Sequence, residues 1–132
     1  MEIDYLTDYD PSLNSMHENA GKPEIGIDKN LKDAGLTKGD YSNNSIKSMN
    51  LGLKAFKNYY SLYQTIAHEL FHGIQIVSGV YGAAVQKYGI NYAKPLMEAQ
   101  ALYFNWELDP TNMFWFNQLN NEMIKHFNYY AK

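Results

Sequence analysis

The five residues from position 68 to 72, in the order His-Glu-Leu-Phe-His, are the part of this sequence most suited to chemistry. Residues four apart lie on the same face of an α-helix, so His68 and His72 can offer two imidazole nitrogens to one metal ion. Glu69 stands beside that face, where its carboxylate can take a proton from a zinc-activated water. The spacing therefore predicts a zinc-hydrolase centre with Glu69 as general base. The alternative is a chance helix that carries two surface histidines and a charged neighbour.

The residues around this motif favour an apolar helix. Ser61-Leu62-Tyr63-Gln64 has the form of a capping box, which predicts the start of the helix. Ser78-Gly79 predicts its end, because glycine readily adopts the left-handed conformation that follows many helices. Apolar residues recur at helical spacing between these ends, at Ile66, Leu70, Ile74 and Val77.

A catalytic zinc site normally has three protein ligands, so a third donor must lie elsewhere in the chain. The sequence contains no cysteine, which leaves histidine and carboxylate as possible ligands. The candidates that follow the motif are Glu98, Glu107, Asp109, Glu122 and His126. We favour Glu98, because the intervening residues allow the chain to reverse and because Ala101, one helical turn later, permits close helix packing. The alternative for Glu98 is a solvated residue in a first helical turn.

The HELFH motif with a later glutamate in the setting Glu98-Ala99-Gln100-Ala101 resembles the gluzincin branch of the zincin metallopeptidases. More narrowly, it is similar to compact metallopeptidase domains of bacterial and phage proteins, including those of polymorphic toxin systems. The resemblance covers residues 64–75 and 97–101 and is only architectural elsewhere. It differs from the metzincin pattern, because Gln75 and Ser78 occupy the positions where that branch needs glycine and a third ligand.

The resemblance implies zinc on His68, His72 and Glu98, with Glu69 as general base in peptide-bond hydrolysis. The expected function is thus a zinc-dependent metallopeptidase that acts on a peptide or protein substrate. Two alternatives remain open: a catalytically degenerate zincin-fold interaction module, and a zinc hydrolase of a non-peptide amide. The chain is too short for much of the substrate-binding subdomain of larger gluzincins, so the resemblance does not identify a substrate.

The composition predicts a single globular domain over residues 1–132, with 45% apolar residues. The net charge of −3 and the absence of a basic cluster argue against nucleic acid as a partner. Neither a signal peptide nor a transmembrane segment is visible. We therefore expect no membrane partner, and either a cytoplasmic protein or a domain of a larger, possibly secreted, one.

The remaining elements are predicted from local patterns. Alternating residues indicate strands at 2–6, 24–28 and 49–56, and the polar stretch 38–45 indicates a surface loop. Helices are expected at 81–88, at 96–108 after Pro95, and from a cap at Asp109 or Thr111 toward residue 130. The last helix would bury Trp115, Leu119, Met123 and Phe127. These elements predict an α+β, zincin-like fold with about three N-terminal strands packed on the HExxH helix and two to three C-terminal helices.

The aromatic run Phe114-Trp115-Phe116 is expected to belong to the core. The alternative is that these rings form a lip of a substrate cleft or a partner surface.

Overall fold

The structure is a computed structural model that describes the backbone of residues 2–131 and the side chains of residues 2–124. The described chain forms six α-helices and a three-stranded mixed sheet, which is an α+β arrangement as the sequence predicts. The helices are α1 (Glu2–Tyr9), α2 (Pro11–Asn19), α3 (Tyr59–Val77), α4 (Val80–Tyr88), α5 (Ile90–Leu108) and α6 (Met113–Ala131). The strands are β1 (Gly26–Ile27), β2 (Gly35–Asp40) and β3 (Ser45–Leu51), and a 3-10 turn covers Leu53–Lys57.

The sheet has the order β1-β3-β2, so β2 lies at one edge. Strands β2 and β3 form an antiparallel hairpin, while β1 pairs with β3 in the parallel direction. The pairing of β2 is irregular between Lys38 and Gly39. Because only one side of β2 is paired within the sheet, its other side presents backbone groups to the space beside α3.

Helix α3 is the central element of the core. One apolar cluster joins it to α1, α2 and β3, and within this cluster Leu13, Leu51, Ile66 and Leu70 are fully buried. Each side chain of this size contributes about 1.5–3 kcal/mol when fully buried. A second cluster joins the last turns of α3 to α4 and α5 through Ile76 and Met97. Packing at both ends therefore holds the segment 68–72 in a fixed position.

All three predicted strands need correction. Residues 2–6 belong to helix α1, because Ile3 and Leu6 are buried at helical spacing while Tyr5 is 64% exposed. The strand expected at 49–56 is instead β3, which ends at Leu51 and is followed by the 3-10 turn. The strand expected at 24–28 is reduced to the two residues of β1.

The predicted loop at 38–45 is also wrong, because it contains the end of β2, a turn and the start of β3. Strand β2 has the sequence Gly-Leu-Thr-Lys-Gly-Asp, whose two glycines and polar residues resemble a loop. Its conformation is set by pairing with β3 rather than by local propensity.

Helix α3 begins earlier than predicted, because Asn58 is its N-cap and accepts a hydrogen bond of 2.7 Å from the Ser61 N–H. The predicted capping box is therefore wrong. The end at Ser78-Gly79 is confirmed, and Gly79 has a positive φ of 85° that suits glycine. Helix α5 begins after Gly89 and includes Pro95 in its interior, so Pro95 does not open it.

The last helix, α6, follows Asn112, whose side chain accepts a hydrogen bond from the Phe114 N–H. Trp115 is half-buried, but Met123 is 56% exposed and does not belong to a buried side. The predicted contribution of Phe127 lies outside the described side chains. None of the described helices combines the length and apolar character needed to cross a bilayer.

Candidate metal centre

Helix α3 presents His68 and His72 side by side. Their Nε2 atoms lie 3.1 Å apart, and the two rings meet edge to face with centroids separated by 4.7 Å. Both side chains are mostly buried, with exposed fractions of 14% and 13%. The spacing of one helical turn in the sequence thus brings the two Nε2 atoms together at one point.

Helix α5 brings Glu98 to the same point. The Glu98 Oε1 atom lies 2.7 Å from Nε2 of His68, and Oε2 lies 3.1 Å from Nε2 of His72. One ligand atom from each of the three residues lies within 4.8 Å of the others. The structure therefore brings together the three residues that the sequence proposed as ligands.

The other candidate third ligands are separate from this cluster. The Asp109 carboxylate accepts hydrogen bonds from Tyr60 and Thr111. Glu107 lines an apolar cavity against α6, and Glu122 lines the cleft described below. The side chain of His126 lies outside the described residues.

The electrostatics of the cluster favour a cation between the three groups. Burial alone lowers the pKa of His68, but its hydrogen bond to Glu98 and the charges of Glu98 and Glu69 raise it to about 9. Burial raises the pKa of Glu98, yet the hydrogen bonds from His68 and His72 outweigh this effect and hold it well below its usual range. A proton on His68 thus balances the Glu98 carboxylate, and a metal ion could replace that proton.

Glu69 lies between α3 and the edge strand β2. Its side chain is 4% exposed, and its Oε1 atom accepts a hydrogen bond of 2.7 Å from the Thr37 hydroxyl. Gly35 permits this packing, because a Cβ at that position would lie 2.7 Å from Cγ of Glu69. The carboxylate is therefore held in one place by the strand, in contact with the same space as His68 and His72.

A cleft of about 1220 Å³ contains these groups. One wall is formed by β2, the floor by α3, and the opposite wall by α5 and α6. An open groove that exposes a backbone edge on one side can accept an extended chain.

The aromatic run at the start of α6 lies at the rim of this cleft. Phe114 and Trp115 line it, and Phe114 is 54% exposed. Phe116 is 45% exposed and lines the apolar cavity on the other side of the α5–α6 pair. The expectation that these rings belong to the core is therefore wrong, and the alternative of a cleft lip describes Phe114 and Trp115.

Two tyrosines also line the cleft. The rings of Tyr41 and Tyr81 stack with centroids 4.2 Å apart. Burial and the hydrogen bond with Tyr41 raise the pKa of Tyr81, so its phenol remains protonated at neutral pH. From sequence alone no tyrosine could be chosen as a hydrogen-bond donor, and the structure brings these two to the cleft.

Three polar residues that the sequence analysis did not assign to the site contact its members. Thr37 contacts Glu69, Gln75 contacts His72, and Asn105 contacts His68. Asn105 follows Glu98 by seven residues, or two helical turns, and this spacing could have indicated it. The role of Thr37 depends on the pairing of β2 and has no local signal.

Neither a protein-family model, nor a curated protein, nor a solved structure matched the chain when it was compared with each of these groups.

Proposed function

We propose that this chain is a zinc-dependent peptidase with a zincin-like, gluzincin-type centre. The observation that carries the proposal is the convergence of His68, His72 and Glu98 beside a buried Glu69 in one cleft. Two imidazoles and a carboxylate are a common ligand set of catalytic zinc, which keeps a further position open.

His68, His72 and Glu98 would hold the zinc. When bound, zinc acts as a Lewis acid that polarises a carbonyl and makes a water more acidic. The donor set supports this choice, since nitrogen and oxygen donors suit zinc and no thiolate is present. The raised pKa of His68 supports this proposal, because Glu98 and Glu69 together favour a positive charge beside them.

Glu69 would act as general base and then as general acid. Its Oε1 atom is engaged by Thr37, which leaves the carboxylate oriented and its remaining acceptor capacity for a water in the cleft. The carboxylate would take a proton from the attacking water and deliver it to the leaving nitrogen. A site that merely stores a metal has no need for such a group, so Glu69 argues against a degenerate interaction module.

The edge strand β2 favours a peptide over another amide substrate. An extended peptide could pair with the free side of β2, where backbone hydrogen bonds provide affinity without regard to side-chain identity. The rings of Phe114 and Trp115 would pack against substrate side chains. Tyr41 and Tyr81 place two phenol side chains on the cleft wall, where a hydroxyl could donate a hydrogen bond to the substrate.

The test combines metal analysis with cleavage of a broad peptide library. We expect close to one zinc per chain and cleavage that a chelator abolishes and added zinc restores. Zinc without cleavage of any peptide would instead support the degenerate module. Zinc with hydrolysis of only small non-peptide amides, assayed in parallel, would support a zinc hydrolase of a non-peptide amide.

A further inference from the structure

In each histidine of the candidate centre, the Nδ1 atom contacts the side-chain amide of a buried residue. Nδ1 of His68 lies 2.6 Å from Oδ1 of Asn105, and Nδ1 of His72 lies 2.8 Å from Oε1 of Gln75. Asn105 is 0% exposed and Gln75 is 4% exposed. Neither amide has access to bulk water, so each must find its partners within the protein.

The orientation of the Asn105 amide follows from its other contacts. Its Nδ2 donates to the backbone oxygen of Gln64 at 3.1 Å and to Oε1 of Gln64 at 2.6 Å. These two acceptors use both protons of the amide nitrogen. Turning the amide over would place Oδ1 against two oxygens, so Oδ1 must face His68.

The Gln75 amide is oriented in the same way. Its Nε2 donates to the backbone oxygen of Met97 and to Oε1 of Gln100, each at 3.1 Å. Both of its protons are again used, and its Oε1 is left to face His72. An amide oxygen can only accept a hydrogen bond, so the Nδ1 atom of each imidazole must carry a proton and donate it.

We propose that Asn105 and Gln75 are positioning residues that fix the tautomer and ring angle of His68 and His72. With Nδ1–H held by an amide, a neutral imidazole presents the lone pair of Nε2, and both Nε2 atoms face Glu98. This inference rests on the metal centre proposed above. It adds that neutral amides, rather than carboxylates, orient both nitrogen ligands.

The amide contacts also connect both histidines to the helix that carries Glu98. Asn105 belongs to α5, while Gln75 belongs to α3 and reaches α5 through Met97 and Gln100. Glu98 lies between Met97 and Gln100, the two residues of α5 that Gln75 contacts, and seven residues before Asn105. The two contacts share no residue, so the loss of either should remove the Nδ1 hydrogen bond of one histidine only.

The test uses zinc-loaded protein with nitrogen-15-labelled histidine, observed by NMR, together with zinc affinity measured against a competing chelator. The wild type should show Nδ1–H signals for His68 and His72 that exchange slowly with water. Asn105→Leu should remove the slow-exchanging signal of His68 and leave that of His72. Gln75→Leu should do the reverse, and each variant should weaken zinc binding roughly 10–100-fold.

The matched control is Asn14→Leu. Asn14 is a half-buried amide that donates to the Thr7 backbone oxygen, whereas the amides bound to His68 and His72 are Asn105 and Gln75. Its loss should leave both signals and zinc affinity unchanged. Asn105→Asp and Gln75→Glu keep the oxygen that faces the ring but lose the amide protons that bind the acceptors of Gln64, or of Met97 and Gln100. These variants should therefore unfold at a lower temperature and yet restore the Nδ1–H signal of the affected ring. This restoration would not be expected if the amides served only the packing of the helices.

The inference is overturned if zinc-loaded wild type lacks the two Nδ1–H signals, or if the leucine variants bind zinc as the wild type does. The wild-type spectrum decides the question even if a leucine variant unfolds. Absence of zinc binding by the wild type would be a different outcome, because it would reject the proposed centre itself.

Discussion

The hydroxyl of Thr37, on the edge strand, donates a hydrogen bond of 2.7 Å to Oε1 of Glu69, on the central helix. The two residues are 32 positions apart, so the contact exists only because β2 packs against α3. The orientation of the proposed general base is therefore set by the strand that also borders the cleft.

Thr37→Val should lower kcat by about tenfold while zinc content remains near one per chain. Valine keeps the shape of threonine but removes a hydrogen bond to a charged group, which is worth about 1.5–3 kcal/mol. Steady-state kinetics with parallel metal analysis would measure this effect. Thr37→Ser retains the hydroxyl and should retain most of the activity. Equal rates in the valine and serine variants would show that the contact does not orient Glu69.

Glu98→Gln should weaken zinc binding by roughly 100-fold or more. This exceeds the effect of losing a residue that only hydrogen-bonds to a metal ligand. The amide keeps the size of the side chain but removes the negative charge that binds between His68 and His72. The control is Glu107→Gln, an exposed carboxylate on the same helix that faces the apolar cavity. Calorimetric titration with zinc would compare the two. A larger loss of zinc affinity in the Glu107 variant would show that Glu98 is not the third ligand.

Zinc affinity should increase with pH, because zinc must displace the proton of His68. The pKa of His68 is raised to about 9, so binding near neutral pH must displace a proton. The apparent affinity should increase by roughly tenfold per pH unit up to that value and then level off. Competition titrations between pH 6.5 and 10 would measure the slope. An affinity independent of pH below 9 would contradict the structure of the cluster.

The metal-free protein should show the corresponding change in stability. The raised pKa of His68 contributes stability that is complete below its ordinary value of 6.5 and is lost as pH rises toward 9. The lowered pKa of Glu98 contributes stability that is present above its ordinary value of 4.5 and is lost in acid. Thermal unfolding of the chelator-treated protein should therefore give a higher Tm near pH 5.5 than near pH 9, and His68→Gln should reduce the difference.

Phe114→Ala should raise KM roughly fivefold with little change in kcat or zinc content, since an aromatic contact of this kind contributes about 1 kcal/mol. Phe114 lies on the cleft rim, while Phe116 is similarly exposed but faces the opposite cavity. Phe116→Ala is therefore the matched control and should leave KM unchanged. Similar KM values in both variants and the wild type would exclude Phe114 from substrate contact.

The convergence of the three proposed ligands could be predicted from sequence because their relationships are local. The His68–His72 spacing is one helical turn, and Glu98 required only that a second helix return beside the first. The edge strand could not be predicted, because the glycines and polar residues of β2 acquire their conformation from pairing with β3. Residues 2–6 were wrongly predicted as a strand, because their polar and apolar residues alternate, whereas the structure buries Ile3 and Leu6 on one face of a helix.

The hydrogen bonds that orient the site residues also differ in whether the sequence could have indicated them. Asn105 lies two helical turns after Glu98, and Gln75 lies three residues after His72, so both were accessible to a search for polar residues near the proposed ligands. Thr37 was not, because only the packing of β2 on α3 brings it to Glu69.

The central claim is that Glu69 serves as general base in a zinc-dependent peptidase, and Glu69→Gln tests it most directly. Glutamine preserves size and can still accept the Thr37 hydrogen bond, but it cannot take a proton from water. Peptide-library cleavage should be compared between wild type and variant, each shown to carry one zinc per chain. We predict that the variant keeps its zinc and loses about 10²–10⁴-fold in rate. Undiminished cleavage by zinc-loaded Glu69→Gln would contradict the claim.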